Sequence, residues 1–164
     1  MDEFKNIFLK SSFKQQNKLF IQAAGNGENT TLIWMANTGN YNLNKAMWAA
    51  CNHRHTETMN LLYGMGAKMS AGYFVSAVLK NWMDVAMWLY TIDPKCIDDY
   101  MYHNWFYLMV PICNNRQMAM LNWLLEKYNV RRDQLIQSII HEDVKRFLES
   151  EYSNHSGRTE RTEI

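Results

Sequence analysis

The densest cluster of chemically capable side chains is Cys51-Asn52-His53-Arg54-His55, where one thiol and two imidazoles fall within five residues. Thiolate and imidazole both bind zinc, but a closed zinc site is tetrahedral and this segment offers no clear fourth ligand. The preferred reading of the same residues is a turn between two helices, and no metal is assigned. Nucleophilic catalysis would need a Cys or Ser beside a His and an orienting carboxylate. Cys113 follows Val110-Pro111-Ile112 and reads as a buried, inert thiol. Cys96 comes just after Asp93-Pro94, where partial exposure is allowed, yet nothing near it in sequence would activate it. Asp98 and Asp99 are adjacent, so they diverge on a helix, and they read as the solvated start of the helix that includes Tyr100. Gly25 and Gly27 mimic part of a phosphate-binding loop without its preceding strand or its Lys-Ser/Thr. No acid, base and nucleophile converge, so the chain is read as non-enzymatic and free of cofactors.

The elements that carry these residues are helical. Apolar side chains recur at three- and four-residue steps, as in Met59, Leu62, Tyr63 and in Val85, Met87, Trp88, Leu89, and strand-like alternation is nearly absent. Short breaks at Gly25-Asn26-Gly27, Asn37-Thr38-Gly39-Asn40, Gly64-Met65-Gly66, Asp93-Pro94 and Asn114-Asn115 predict tight helix–helix connections. The 164 residues are 48% hydrophobic and 13% aromatic, enough for one buried core and too few for a second full domain. A net charge of +1 gives no overall field toward phosphate backbones or anionic lipid, so nucleic acid and membrane are not the expected partners. Three widely spaced cysteines fit a reducing compartment, and no signal-peptide or membrane-spanning run is found, so a cytoplasmic location is expected.

Self-similarity organises the helices. Ala23-Ala24-Gly25-Asn26-Gly27-Glu28 aligns with Ala50-Cys51-Asn52-His53-Arg54-His55 and with Ala77-Val78-Leu79-Lys80-Asn81-Trp82 at a constant step of 27 residues. A fourth copy, Ile112-Cys113-Asn114-Asn115-Arg116-Gln117, follows after 35 residues, and a weaker fifth runs from Gln134 through His141 to Phe147-Leu148. Small residues in the Ala23, Ala50 and Ala77 column let first helices approach closely, while Trp34, Trp88 and Trp123 fall in the filling columns of second helices. The N-terminal helix around Phe4, Ile7, Phe8 and Phe13 and a C-terminal helix from Glu142 to Tyr152 are expected to cover the ends.

His55-Thr56-Glu57-Thr58-Met59-Asn60-Leu61-Leu62-Tyr63-Gly64-Met65-Gly66-Ala67 resembles the second helix and exit turn of an ankyrin repeat, and Ala23 to Gly27 resembles the end of its first helix. The resemblance covers residues 18 to 128. It implies an all-α solenoid of stacked helix pairs over residues 1–152, about four to five degenerate ankyrin-like repeats behind an N-terminal capping helix, and the polar composition of residues 153–164 predicts a disordered tail. The resemblance also implies that His55 hydrogen-bonds the loop backbone. The opening Thr-Pro-Leu-His is missing, and a 27-residue step is short of the ankyrin period of about 33, so short or absent β-hairpin fingers are expected. Short, Asn- and Met-rich divergent units of this kind are similar to multigene-family proteins of large DNA viruses, the asfarviruses in particular. That likeness implies an adaptor or inhibitor of host innate signalling.

With reduced fingers, recognition of a host cytosolic protein is expected on first-helix faces and turns, at Trp48, Asn52 and His53 of one unit and Tyr73, Lys80 and Trp82 of the next. Trp105 is a further candidate anchor. The last residues, Thr162-Glu163-Ile164, resemble the Thr-x-aliphatic C-terminus captured by PDZ domains. The alternative functions are a self-assembling homodimer and, behind it, a metal- or thiol-dependent enzyme.

Overall fold

A computed structural model describes residues 2–156, and these form eleven helices with no strand among them. After α1 (Asp2–Lys10), the chain runs in consecutive pairs. These are α2 (Phe13–Gly25) with α3 (Asn29–Ala36), α4 (Leu43–Asn52) with α5 (Thr56–Gly64), and α6 (Ala71–Leu79) with α7 (Met83–Ile92). Then come α8 (Pro94–Asn114) with α9 (Met118–Lys127) and α10 (Arg132–Gln137) with α11 (Glu142–Ser156). Within each pair the two helices pack on each other, and across pairs α2 packs on α4, α4 on α6 and α6 on α8.

One turn recurs in four pairs, and its local chemistry explains the spacing seen in sequence. The residues that close the first helix are Gly27, Arg54, Asn81 and Arg116, all left-handed with φ of 73°, 60°, 57° and 53°. The N–H of the next residue then reaches back to the helix: Glu28 to Ala23 O at 2.9 Å, His55 to Ala50 O at 3.0 Å, Trp82 to Ala77 O at 2.9 Å and Gln117 to Ile112 O at 3.0 Å. This is the left-handed stop that satisfies the last carbonyls of a helix. The same four residues begin the second helix, since their carbonyls accept from Leu32, Met59, Ala86 and Leu121. A residue that ends one helix and starts the next leaves no room for a longer loop.

Capping alternates accordingly. The first helices α2, α4, α6 and α8 use side-chain caps, unlike α10: Ser12 accepts from Gln15 N, Asn42 from Lys45 N, Ser70 from Gly72 N and Asp93 from Cys96 N. The second helices α3, α5, α7 and α9 have no side-chain cap. Asparagines tie the connections to the preceding pair: Asn17 Oδ1 accepts from Asn42 N and Asn44 Oδ1 from Lys68 N, both at 2.8 Å.

The core is the column expected from the alignment. Ala23, Ala24, Ala46, Ala50, Ala77 and Ala86 are buried between helices, while Leu32, Met59, Leu62, Leu89, Leu121 and Leu124 fill the second-helix side. Trp34, Trp88 and Trp123 are only partly buried and pack against that core from its edge. Two boundaries differ from expectation. The N-terminal segment breaks at Ser11-Ser12, so Phe13 opens α2 and lies exposed with its ring stacked 5.9 Å from Tyr41. At the other end α11 continues to Ser156, past the expected tail boundary, and residues 157–164 lie outside the described part. The 35-residue step has a structural counterpart: α8 is 21 residues long where α6 has 9, and it follows α7 through the single residue Asp93. Pro94 forces Asp93 out of helical geometry and then starts α8, so two helices abut without a loop.

Candidate functional site

The residues expected to bind a partner gather along the seam between α4 and α6. Trp48 and Asn52 are one turn apart on α4, as are Tyr73 and Ser76 on α6, and side chains of the two helices meet in two rungs. In the first rung, the Trp48 ring, 44% exposed, lies 5.7 Å from that of Tyr73. Tyr73 is itself buried, 6% exposed, and its hydroxyl donates to Asn44 O at 3.3 Å. It therefore backs Trp48 and presents no face of its own. In the second rung, Asn52 Oδ1 accepts from Lys80 Nζ at 2.9 Å and from Ser76 Oγ at 3.4 Å. The Lys80 ammonium also sits 4.5 Å from the centre of the half-buried Trp82 ring, so one cation joins Asn52 of one pair to Trp82 of the next.

His53 stands apart from both rungs. Its exposed ring stacks 6.4 Å from that of His55 and lies over Gly25, where a Cβ would stand at an ordinary contact distance of 3.6 Å. Gly27 is needed twice over: its φ is positive, and a Cβ would fall 2.8 Å from His55 Nδ1. His55 starts α5 without a side-chain cap bond, so its ring fills space over Gly27 and does not act as the backbone tether that the resemblance implied.

Two of the three thiols, those of Cys51 and Cys113, point inward, while Cys96 is partly exposed. Cys51 is fully buried with Sγ donating to Tyr73 O at 3.7 Å, and burial pushes it up to about 11 despite the pull of Lys80. Burial takes Cys113 to about 12. Cys51 and the exposed His53 therefore face different environments, and no three His, Cys, Asp or Glu side chains converge on a metal position among the described residues. No described helix is long and apolar enough to cross a membrane.

The 27-, 27- and 35-residue steps also place Ile21, Trp48, Val75 and Val110 at one register position on α2, α4, α6 and α8, and each is at least partly exposed. Lys18, Lys45, Gly72 and Tyr107 occupy the position one turn earlier, and all four are exposed. The first-helix face is thus an apolar stripe edged by lysines on α2 and α4, by Gly72 on α6 and by Tyr107 on α8.

A second surface was not foreseen. The lengthened α8 exposes Tyr102 (80%) and Tyr107 (76%), and beside it a groove of about 500 Å³ is lined by Tyr90, Asp98, Met101, Trp105 and Tyr128 among others. Tyr128 donates to Asp98 Oδ1 at 2.8 Å, so Asp98 tethers the start of α8 to the end of α9 and is more than a solvated helix start. Burial, then Asp98, raises the Tyr128 phenol, which stays protonated and able to donate. Trp105 is partly buried here. The signals in the sequence were Trp105, read as a candidate anchor, and the eight-residue surplus of the fourth unit. Thr162, Glu163 and Ile164 lie outside the described residues. Comparison with protein-family models, curated proteins and solved structures finds no match to this chain.

Proposed function

We propose that the protein is a non-enzymatic protein-interaction module, a solenoid of degenerate ankyrin-like units that binds through its first-helix face. The observation that carries this reading is the shared register of α2, α4, α6 and α8, which turns single partly exposed residues into a stripe spanning four units. Trp48 at its centre is a large, half-exposed aromatic side chain backed by a buried ring, the kind of rigid anchor on which interfaces concentrate their energy. The buried, protonated thiols of Cys51 and Cys113 weigh against chemistry at those two cysteines. The narrower reading, a viral adaptor or inhibitor acting on a host cytosolic protein of innate signalling, is supported by the sequence resemblance alone. Affinity capture from host-cell cytosol with wild-type and Trp48→Ala proteins, read by mass spectrometry, tests the module: a partner lost by Trp48→Ala at unchanged circular dichroism supports it, and a partner retained at wild-type affinity overturns the face.

The exposed Tyr102 and Tyr107 favour the second reading, a homodimer through α8. Light scattering after size exclusion decides it, since a Tyr102→Ser, Tyr107→Ser protein would then be monomeric where wild type is dimeric.

A further inference from the structure

The near-neutral chain conceals a strong local imbalance. Residues 13 to 82 carry six basic side chains, Lys14, Lys18, Lys45, Arg54, Lys68 and Lys80, against two acidic ones, Glu28 and Glu57. Both carboxylates sit where second helices begin, Glu28 at the start of α3 and Glu57 in the first turn of α5, where the helix dipole favours negative charge. Consequently α2, α4 and α6 contain no carboxylate at all. Lys14, Lys18 and Lys45 are exposed, and no carboxylate of the described residues pairs with them. Lys18 and Ile21, like Lys45 and Trp48, are three apart on one helix and so share a face.

Resting on the module proposed above, we infer that this face takes an acidic, amphipathic peptide segment, with apolar side chains on the Ile21–Trp48–Val75 stripe and carboxylates against Lys18 and Lys45. Unpaired lysines beside an apolar ridge supply charge complementarity that sets orientation and speeds encounter, while the ridge supplies contact area. A nucleic acid fits less well, because its phosphates need a continuous basic track with successive bases stacking on exposed rings, and here the lysines are two and Trp48 is a single ring flanked by aliphatic Ile21 and Val75.

Fluorescence anisotropy tests this with three labelled probes: an amphipathic Leu/Glu peptide, the same peptide with Lys for Glu, and a single-stranded oligonucleotide. The acidic peptide should bind about tenfold or more tighter than the basic one, and weaken as salt rises. Lys18→Glu with Lys45→Glu should reverse the preference, and Lys18→Gln with Lys45→Gln should abolish it, both with unchanged melting. Equal or tighter binding of the basic peptide, tighter binding of the oligonucleotide, absence of binding, or indifference to the lysine substitutions would overturn the inference. The two proposals fail separately. If Trp48→Ala loses the captured partner while the lysine variants keep it, the module stands and the acidic partner falls.

Discussion

Arg54 and Asp84 meet across the boundary between two helix pairs with guanidinium and carboxylate 3.0 Å apart, and Arg54 does so from a left-handed backbone. Arg116 repeats the arrangement with Asp143 at 3.2 Å. In both cases the turn residue of one pair reaches an acidic residue in the first turn of a later second helix. The Asp84 carboxyl feels some burial, which raises it, but the hydrogen bonds and charge of Arg54 prevail and hold it below its usual value.

A carboxyl held low in the folded state contributes stability above its unfolded value, about 3.9, and loses it as pH falls through the lower folded value. Asp84→Asn should therefore lower stability by a small amount at neutral pH, small because both partners are half exposed and water screens them, and converge with wild type in acid, so its acid limb is shallower by that same amount. Urea midpoints across the acid range check this, and an unchanged acid limb would show that the pair is idle.

The left-handed turns set a second expectation. Asn81 sits at positive φ, which glycine adopts without strain, so Asn81→Gly should be neutral or slightly stabilising, whereas Asn81→Val should cost about 1 to 2 kcal/mol because a β-branched side chain resists positive φ. Equal midpoints for the two variants would contradict the turn geometry.

Ala50 is fully buried on α4, whose strongest neighbour is α2. Ala50→Leu should lower stability by about 1 to 3 kcal/mol through overpacking. A wild-type denaturation midpoint would place Ala50 outside the contact.

Thiol labelling separates the three cysteines. Cys51 and Cys113 are fully buried and pushed to about 11 and 12, while Cys96 is partly exposed. Mild alkylation of the native protein should modify Cys96 alone, and denaturation should release all three. Native labelling of Cys51 would show that the α4–α6 seam opens.

How much of this was legible follows from where the chemistry repeats. The 27-residue step could be read because the same turn, with a small residue before it and a left-handed residue after it, is written out at Gly27, Arg54 and Asn81. The rungs joining Asn52 to Lys80 and Trp48 to Tyr73 were reachable as a neighbourhood, since equivalent positions of adjacent pairs must lie side by side. Their internal roles were not. Whether Tyr73 backs the anchor or is one depends on a hydroxyl that reaches Asn44 O, and no periodicity encodes that. The groove beside α8 was hidden for a different reason. Aromatic residues run through that helix on every side, so their spacing gives no sign of which ones water will see.

The principal packing of each helix from α2 to α11 is with its hairpin partner or with a helix of an adjacent pair, so no strong contact links distant ends of the chain. Ordering one pair closes only short loops, and its exposed flank is the template on which the next condenses. Assembly by such nearest-neighbour addition should be fast, with a low barrier for each step. It also implies that partial stacks of two or three pairs are real thermodynamic states, so heating should erode the molecule from its termini before the segment around α4 and α6 yields.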